Sequence, residues 1–270
     1  MPRIYRRHFL KGLATALGTI GLSHVQLQQR ALRYGKVLAQ PTRRKIALLV
    51  GVNTYTREPL AGSLNDIELQ WQLLIHRFGF LPQDIHTLPN ERATRQGILD
   101  TYQEEILGQV GENDVVVFHF SGHGARVQEY QLMREFLQDL GRGCIDPDSS
   151  CQNTTIVPYD AGDPGGPVVQ DIMGHTLLLM RSALPTNNVT FVLDCCYSGG
   201  GKRGNVVMRS RDATLIDGTP QLPELTDKEW PYQQQLLERL KWSPQDFVDQ
   251  IKSKEGKGFF VAAARANQQS

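Results

Sequence analysis

One stretch of the chain, Val189 to Gly201, reads Val-Thr-Phe-Val-Leu-Asp-Cys-Cys-Tyr-Ser-Gly-Gly-Gly and decides how the rest is interpreted. Its first five residues are mostly apolar, β-branched or aromatic, which is typical of a fully buried strand. The strand gives way to Asp194, Cys195 and Cys196, and the glycines beyond them prevent regular structure. Open α/β sheets bind ligands at the carboxyl ends of their strands, so a thiol here is a candidate nucleophile. The alternative is that both cysteines are small buried residues of the core.

The same kind of buried run recurs along the chain, alternating with segments of helical periodicity. Strand and helix in alternation predict right-handed parallel crossovers and an α/β fold, with a mostly parallel central sheet flanked by helices. The predicted strands are 45–52, 84–88, 115–120, 189–193 and 258–264, and the predicted helices are 66–78, 96–107, 171–184 and 230–240. We also expect an edge strand at 155–160, because Pro158 cannot serve a central strand.

A histidine follows the strand of residues 115–120. The segment Ser121-Gly122-His123-Gly124 lets the backbone turn sharply, and His123 stands at the carboxyl end of its strand as the two cysteines do on theirs. Acyl transfer by cysteine needs a thiolate and a base beside it, and His123 with Cys196 can supply both if the two strands are neighbours. His119, within the strand, is better interpreted as a core histidine.

Charge is spread unevenly along the chain. Residues 1–39 carry seven basic residues and no acid, which leaves 22 basic and 28 acidic residues and a net charge of −6 in residues 40–270. That balance is not typical of a nucleic-acid binder. Arg6-Arg7-His8-Phe9-Leu10-Lys11 resembles a twin-arginine export motif, and the apolar stretch behind it is too short to span a membrane. We therefore expect export to the periplasm without a stable membrane anchor; the alternative is a basic helix on a cytoplasmic protein.

Two further segments have distinct character. Residues 125–152 are interpreted as an inserted helix and loop that ends in Cys144 and Cys151, a pair that is either a disulfide or two reduced thiols. Residues 202–257 are rich in proline and charge and are predicted to be a linker.

Two of these segments resemble the signature motifs of one known family. Phe118 to Gly124 and Asp194 to Gly199 are similar to the two signature segments of metacaspases, which are caspase-like cysteine endopeptidases, and the bacterial orthocaspases fit best. Other parts of that family are resembled by Ala47 to Asn53 with Leu60 to Asp66, by Thr155 to Asp160 and by Phe259 to Gln269. The resemblance implies a caspase-like three-layer sandwich, with a catalytic large-subunit domain at 43–201 and the incomplete start of a small subunit at 258–270.

The resemblance also implies roles for individual residues. His123 would be the general base, Cys196 the nucleophile and Cys195 a buried neighbour, with the backbone amides of Gly124 and Cys196 forming the oxyanion hole. Such enzymes cleave peptides after arginine or lysine, through a thioester. The residues that match their substrate pocket are Asp66, Asp194, Ser121 and Ser63. Basic residues of the linker match the places where relatives process themselves, namely Lys202, Arg203, Arg209 and Arg211.

The chain departs from the family pattern at several places. Arg203 stands where calcium-dependent relatives have an aspartate, and only Asp171 remains near the paired position, so we expect no cofactor and no metal. A monomer acting on peptide or protein substrates is the expected form. Because the sequence ends inside the small-subunit region, a caspase-like scaffold without catalysis is the competing interpretation. A different cysteine hydrolase, such as an amidase, would have no need for acids at Asp66 and Asp194.

Overall fold

The computed structural model describes residue 32 and residues 35–39, 44–56, 58–128, 152–162, 168–195, 214–216, 219–221, 224–253 and 257–262. The nucleophile candidate Cys196, the four processing candidates, the Cys144 and Cys151 pair and the twin-arginine motif lie outside these residues. So does nearly all of the predicted insertion.

A five-stranded parallel sheet forms the centre of the protein. Its strands are β1 (Lys45–Gly51), β2 (Ile85–Pro89), β3 (Val115–Ser121), β8 (Val189–Asp194) and β12 (Phe259–Ala262), in the order β12-β8-β3-β1-β2. The middle strands are apolar runs because both of their faces are covered. This arrangement confirms the predicted mostly parallel α/β sheet.

Helices cover both faces of the sheet. Helix α1 (Ser63–Phe78) lies on one face, where Ile67 and Leu74 pack against Ala47 and Leu49 of β1. The helix ends where Gly79 adopts φ 69° and its N–H bonds to the Ile75 carbonyl, a left-handed cap that favours glycine. The other face carries α2 (Arg95–Thr101), α3 (Gly174–Ala183), α4 (Glu229–Leu240) and α5 (Pro244–Ser253). The result is a three-layer sandwich.

The strand order creates a crevice at one edge of the sheet. The chain leaves β1 through α1 to β2 on one side of β1, and then crosses through α2 to β3 on its other side. Right-handed crossovers in opposite directions place α1 and α2 on opposite faces, so the connections diverge beyond the carboxyl ends of β1 and β3. Ligands of open α/β sheets bind at such a switch point, and the segment that contains His123 lies there.

A small antiparallel sheet corrects two of the sequence predictions. Its strands are β4 (Gly124–Gln128), β5 (Gln152–Ile156) and β7 (Ile172–Met173), in the order β4-β5-β7. Residues 125–128 are therefore a strand and not part of an inserted helix. The predicted edge strand was also wrong, because β5 is the central strand of this sheet; it ends at Ile156, two residues before Pro158.

Shorter elements complete the described fold. Two-residue strands β6 (Val168–Val169) and β11 (Glu224–Leu225) pair in parallel, and β9 (Thr214–Ile216) pairs with β10 (Thr219–Gln221) in an antiparallel ribbon. Helix α2 continues as a π-helical segment, Tyr102–Leu107. Within the described ranges, no helix is both long enough and apolar enough to cross a membrane.

Candidate active site

Strand register brings three of the predicted site residues to one face of the sheet. Ser121, the last residue of β3, lies opposite Gly51 of β1 on one side and Asp194 of β8 on the other. Aligned residues of parallel neighbours point to the same face. This is the face that α1 covers, because a Cβ added at Gly51 would approach Ile67 of α1 within 3.1 Å. Asp194 therefore lies beside Ser121, on the face that α1 covers.

Asp66 reaches the same place from α1. Ser121 is fully buried, and its hydroxyl donates a hydrogen bond of 2.7 Å to Asp66 Oδ2. Both Asp66 and Asp194 are half-buried at this end of the sheet. Two carboxylates at one rim are a suitable environment for a guanidinium or an ammonium group.

Ser63 lies at the start of α1 and has no exposed surface. Its backbone N–H donates to Asn53 Oδ1 at 2.8 Å, and its carbonyl lies so close to Gly51 that a Cβ there would be only 2.9 Å away. Ser63 therefore fixes the start of α1 against the end of β1. A direct contact between Ser63 and a substrate remains a prediction.

The first of the two adjacent cysteines directly follows the last residue of β8. Side chains alternate along a strand, so Cys195 faces away from the layer to which Asp194 belongs. Cys195 is fully buried in the main core on the other side of the sheet. Its placement agrees with the role of a buried neighbour, while Cys196 lies beyond the described residues.

His123 lies in the turn between β3 and β4 and is 3% exposed. Its Nε2 is 2.7 Å from the carbonyl oxygen of Glu58, in the loop between β1 and α1. A carbonyl oxygen only accepts, so this bond requires the proton of the neutral imidazole on Nε2 and leaves Nδ1 as its basic nitrogen. Glu58 itself has φ 53°, a left-handed conformation that is uncommon for residues other than glycine and is found at functional sites.

The loop that supplies this carbonyl is held from two sides. Asn90, also with positive φ, accepts the backbone N–H of Asn53 at 2.9 Å through its Oδ1. Asn53 in turn accepts the backbone N–H of Leu60 at 2.8 Å. Tyr55, in the same loop, contacts His123 directly: the two ring centroids are 4.5 Å apart.

Sequence reasoning missed Tyr55 and Glu58. Tyr55 follows the carboxyl end of β1, and the strand-end rule that selected His123 applies to it equally. Glu58 acts through its backbone carbonyl, which no side-chain pattern could have revealed.

No group of three or more His, Cys, Asp or Glu side chains lies close enough together to hold a metal ion in the described part of the chain. Asp171, the remaining match to the calcium-binding pattern, is fully buried. Its Oδ2 accepts a bond of 2.5 Å from Thr155 Oγ1, and its carbonyl accepts one of 3.0 Å from Arg95. Calcium independence itself remains a prediction.

The fold and this site define a three-layer α/β protein with a buried, oriented histidine and two carboxylates near the carboxyl ends of its strands. Residues 45–201, more than half of the chain, match the family model described as metacaspase, peptidase C14 domain. The chain belongs to the metacaspase family, a family of cysteine peptidases, and the resemblance seen in its sequence is confirmed.

Individual relatives agree with this assignment. Metacaspase-1 of Schizosaccharomyces pombe is 32% identical over 165 residues, covering 58% of this chain and 34% of that protein. Metacaspase-9 of Arabidopsis thaliana is 29% identical over 166 residues, covering 58% of this chain and 44% of the relative. The matched part thus spans less than half the length of either relative. A solved structure of a Geobacter sulfurreducens protein covers 83% of this chain and 74% of its own at a TM-score of 0.47 and 16% identity, too remote to add to the assignment.

Proposed function

We propose that the protein is a cysteine endopeptidase that cleaves peptide bonds after arginine or lysine, with Cys196 as nucleophile and His123 as base. One observation supports the proposal above the others: the bond from His123 Nε2 to the Glu58 carbonyl, 2.7 Å long, selects the tautomer whose Nδ1 accepts a proton. Membership of a cysteine peptidase family supplies the chemical class.

In the proposed mechanism, His123 Nδ1 takes the proton of the Cys196 thiol, and the thiolate attacks the substrate carbonyl carbon. The backbone amides of Gly124 and Cys196 stabilise the resulting oxyanion. The carbon–nitrogen bond then breaks, and the imidazolium returns its proton to the leaving amine. A water molecule, deprotonated by His123, hydrolyses the thioester and releases the acid and the thiol.

Specificity for a basic residue rests on Asp66 and Asp194 in this proposal. The Ser121 hydroxyl donates a hydrogen bond of 2.7 Å to the Asp66 carboxylate. Asp194 of β8 lies beside Ser121 in the register of the two neighbouring strands. A guanidinium or ammonium group between the two carboxylates would form charge-assisted hydrogen bonds, which are stronger than neutral ones. A neutral or acidic side chain would form no such charge-assisted bonds with them.

The first experiment is a panel of fluorogenic peptides that end in Arg, Lys, Asp or Ala before the reporter amide. The wild-type protein should cleave the Arg and Lys peptides, and Cys196→Ala should lose at least about 1,000-fold in kcat/KM because the nucleophile is gone. Cys195→Ala is the matched control and should retain activity, since Cys195 packs in the core. Cleavage after Asp would contradict the specificity, and cleavage of no peptide would favour the scaffold alternative.

We also propose that the chain processes itself after Lys202, Arg203, Arg209 or Arg211, in the segment predicted to be a linker. Purified wild-type protein should yield fragments that begin after one of these residues, whereas Cys196→Ala should stay intact. Intact wild-type protein after long incubation under conditions in which it cleaves peptides would contradict the proposal.

Export through the twin-arginine motif and activity without calcium complete the proposal. Replacing Arg6 and Arg7 with lysine should retain a reporter fused to residues 1–45 in the cytoplasm, whereas the native segment should send it to the periplasm. A calcium chelator should leave peptide cleavage unchanged, and activity that returns only with added calcium would contradict calcium independence.

A further inference from the structure

The turn that contains His123 is joined to β5 in an unusual way. Gly124 of β4 pairs with Ile156 of β5, so His123 and Val157 form the next pair of the antiparallel ladder. In a regular ladder two such residues exchange both of their N–H···O=C bonds. Here only one is direct: the N–H of Val157 donates to the carbonyl of His123 at 3.0 Å.

The hydroxyl of Tyr55 takes the place of the second bond. The backbone N–H of His123 donates to Tyr55 Oη at 3.0 Å, and that hydroxyl donates to the carbonyl of Val157 at 2.8 Å. Tyr55 therefore stands between the two backbones as a hydrogen-bonded spacer. It holds His123 further from β5 than a direct bond between the two residues would allow.

The same side chain also contacts the imidazole. The Tyr55 ring lies with its centroid 4.5 Å from that of His123, tilted by 45°. Three residues further along the same loop, the Glu58 carbonyl accepts the bond from Nε2. One loop thus fixes the backbone, the ring plane and the tautomer of His123.

The turn leaves space for this hydroxyl because residue 122 is a glycine. A Cβ added at Gly122 would lie 2.5 Å from Tyr55 Oη and 2.8 Å from Phe120 Cζ, well inside contact distance. Any side chain at position 122 would therefore collide with the Tyr55 hydroxyl where it now lies.

We infer that Tyr55 is a positioning residue for His123, acting through its hydroxyl between His123 and Val157. The inference rests on the proposed role of His123 as general base. Without the hydroxyl, the His123 N–H and the Val157 carbonyl either stay buried without that partner or close into a direct bond. Either change moves the imidazole relative to the thiol, and a displacement of about 1 Å at a reacting group costs up to about 100-fold in rate.

Tyr55→Phe is the variant of choice because it keeps the ring and removes only the hydroxyl. Tyr102→Phe is the matched control: its hydroxyl also donates to a backbone carbonyl, that of Met180 at 2.8 Å, but it lies in the main core. We expect Tyr55→Phe to lower kcat for an arginyl peptide by about 10- to 100-fold, with KM changed by less than about threefold. The pH dependence of kcat/KM should shift in Tyr55→Phe and stay unchanged in Tyr102→Phe.

The ¹⁵N resonances of the His123 imidazole provide a readout that does not depend on turnover. Tyr55→Phe should change the nitrogen shifts of this ring, and Tyr102→Phe should not. If the wild-type protein cleaves no peptide, the proposed function fails while these shifts still test the positioning role. Equal losses of kcat in both variants, or a Tyr55→Phe variant with unchanged kcat and unchanged shifts, would overturn the inference.

A second measurement needs no variant at all. The hydrogen bond to Tyr55 Oη predicts that the backbone amide of His123 exchanges slowly with deuterated water in the wild-type protein. Exchange of that amide at the rate of an unprotected peptide would overturn the inference even if Tyr55→Phe failed to fold.

Discussion

Two buried polar clusters of this protein differ in the groups that they pair. The histidine cluster, formed by Tyr55, Glu58, His123 and Val157, ties a titratable ring mostly to backbone groups. The ion-pair cluster, formed by Arg95, Thr176, Glu229 and Gln233, joins full charges to each other. In it Arg95 Nη1 lies 2.6 Å from Glu229 Oε2, with side chains 4% and 0% exposed.

The ion-pair cluster connects distant parts of the chain. Glu229 begins α4, in the segment that the sequence predicted to be a linker, and its Oε1 accepts bonds from the Met173 N–H at 3.0 Å and from the Thr176 hydroxyl. Gln233, one turn further, donates to Thr176 Oγ1 at 2.8 Å. Burial of polar groups alone therefore does not mark a catalytic site. Mutual pairing of opposite charges holds elements together, whereas the bond from His123 Nε2 to a backbone carbonyl fixes the tautomer of a neutral ring.

The largest effect is expected from Glu229→Gln. Removing one charge of a buried pair leaves the other uncompensated, which typically costs about 3–5 kcal/mol. We expect the free energy of unfolding, measured by urea titration, to fall by about that amount, while folded protein keeps its kcat within about twofold. Glu238→Gln, on the exposed side of α4, is the control and should change little. Equal unfolding midpoints for Glu229→Gln and Glu238→Gln would show that the ion-pair cluster does not stabilise the fold.

A smaller effect, and on activity rather than stability, is expected from Asp66→Asn. Loss of the carboxylate charge removes a charge-assisted bond to a basic substrate side chain, and we expect kcat/KM for arginyl peptides to fall about 10- to 100-fold. In this variant Ser121 can still donate a hydrogen bond to the amide oxygen of residue 66, so the unfolding midpoint should stay unchanged. Glu68→Gln, exposed on α1, serves as control. A stability loss without a loss of activity would place Asp66 with the structural cluster instead.

The smallest effect near neutral pH is a loss of stability as the solution becomes acidic. Burial lowers the pKa of His175 from 6.5 to about 3, and Asn153 Nδ2 lies 2.6 Å from its Nδ1. Between these two values the unfolded chain binds a proton that the folded protein excludes, so stability should be complete above pH 6.5 and fall as the pH drops. One such group contributes up to about 1.4 kcal/mol per pH unit.

His175→Asn should flatten the pH dependence of the urea midpoint, and His76→Asn, at an exposed position of α1, should leave it as it is. Identical slopes in the wild-type protein and His175→Asn would show that His175 does not carry the acid sensitivity.

The parallel sheet was predictable from the sequence because each of its runs is apolar over a length typical of a strand. Helix ends were predicted less closely: α1 begins at Ser63 and not Asp66, since its first turn is set by the contact between Ser63 and Asn53. Strand β4 was not foreseen, because Gly124–Gln128 has no apolar run and becomes a strand only by pairing with β5.

The candidate site was predictable only in part. His123, Asp66, Ser121 and Asp194 came from motifs, and the structure joins the last three at one face of the sheet. Tyr55 and the Glu58 carbonyl depend on how a loop folds over the turn, which no local pattern encodes. Arg95 and Glu229 are 134 positions apart, and no sequence pattern around either residue predicts their ion pair.

Covalent labelling would show whether His123 activates Cys196. The protein would be treated with a chloromethyl ketone peptide ending in arginine, and the modified residue would be identified by mass spectrometry. We expect a single label on Cys196, at a rate that is at least about 100-fold slower in His123→Ala and unchanged in Cys195→Ala. A label on Cys195, or equal labelling rates with and without His123, would contradict this activation.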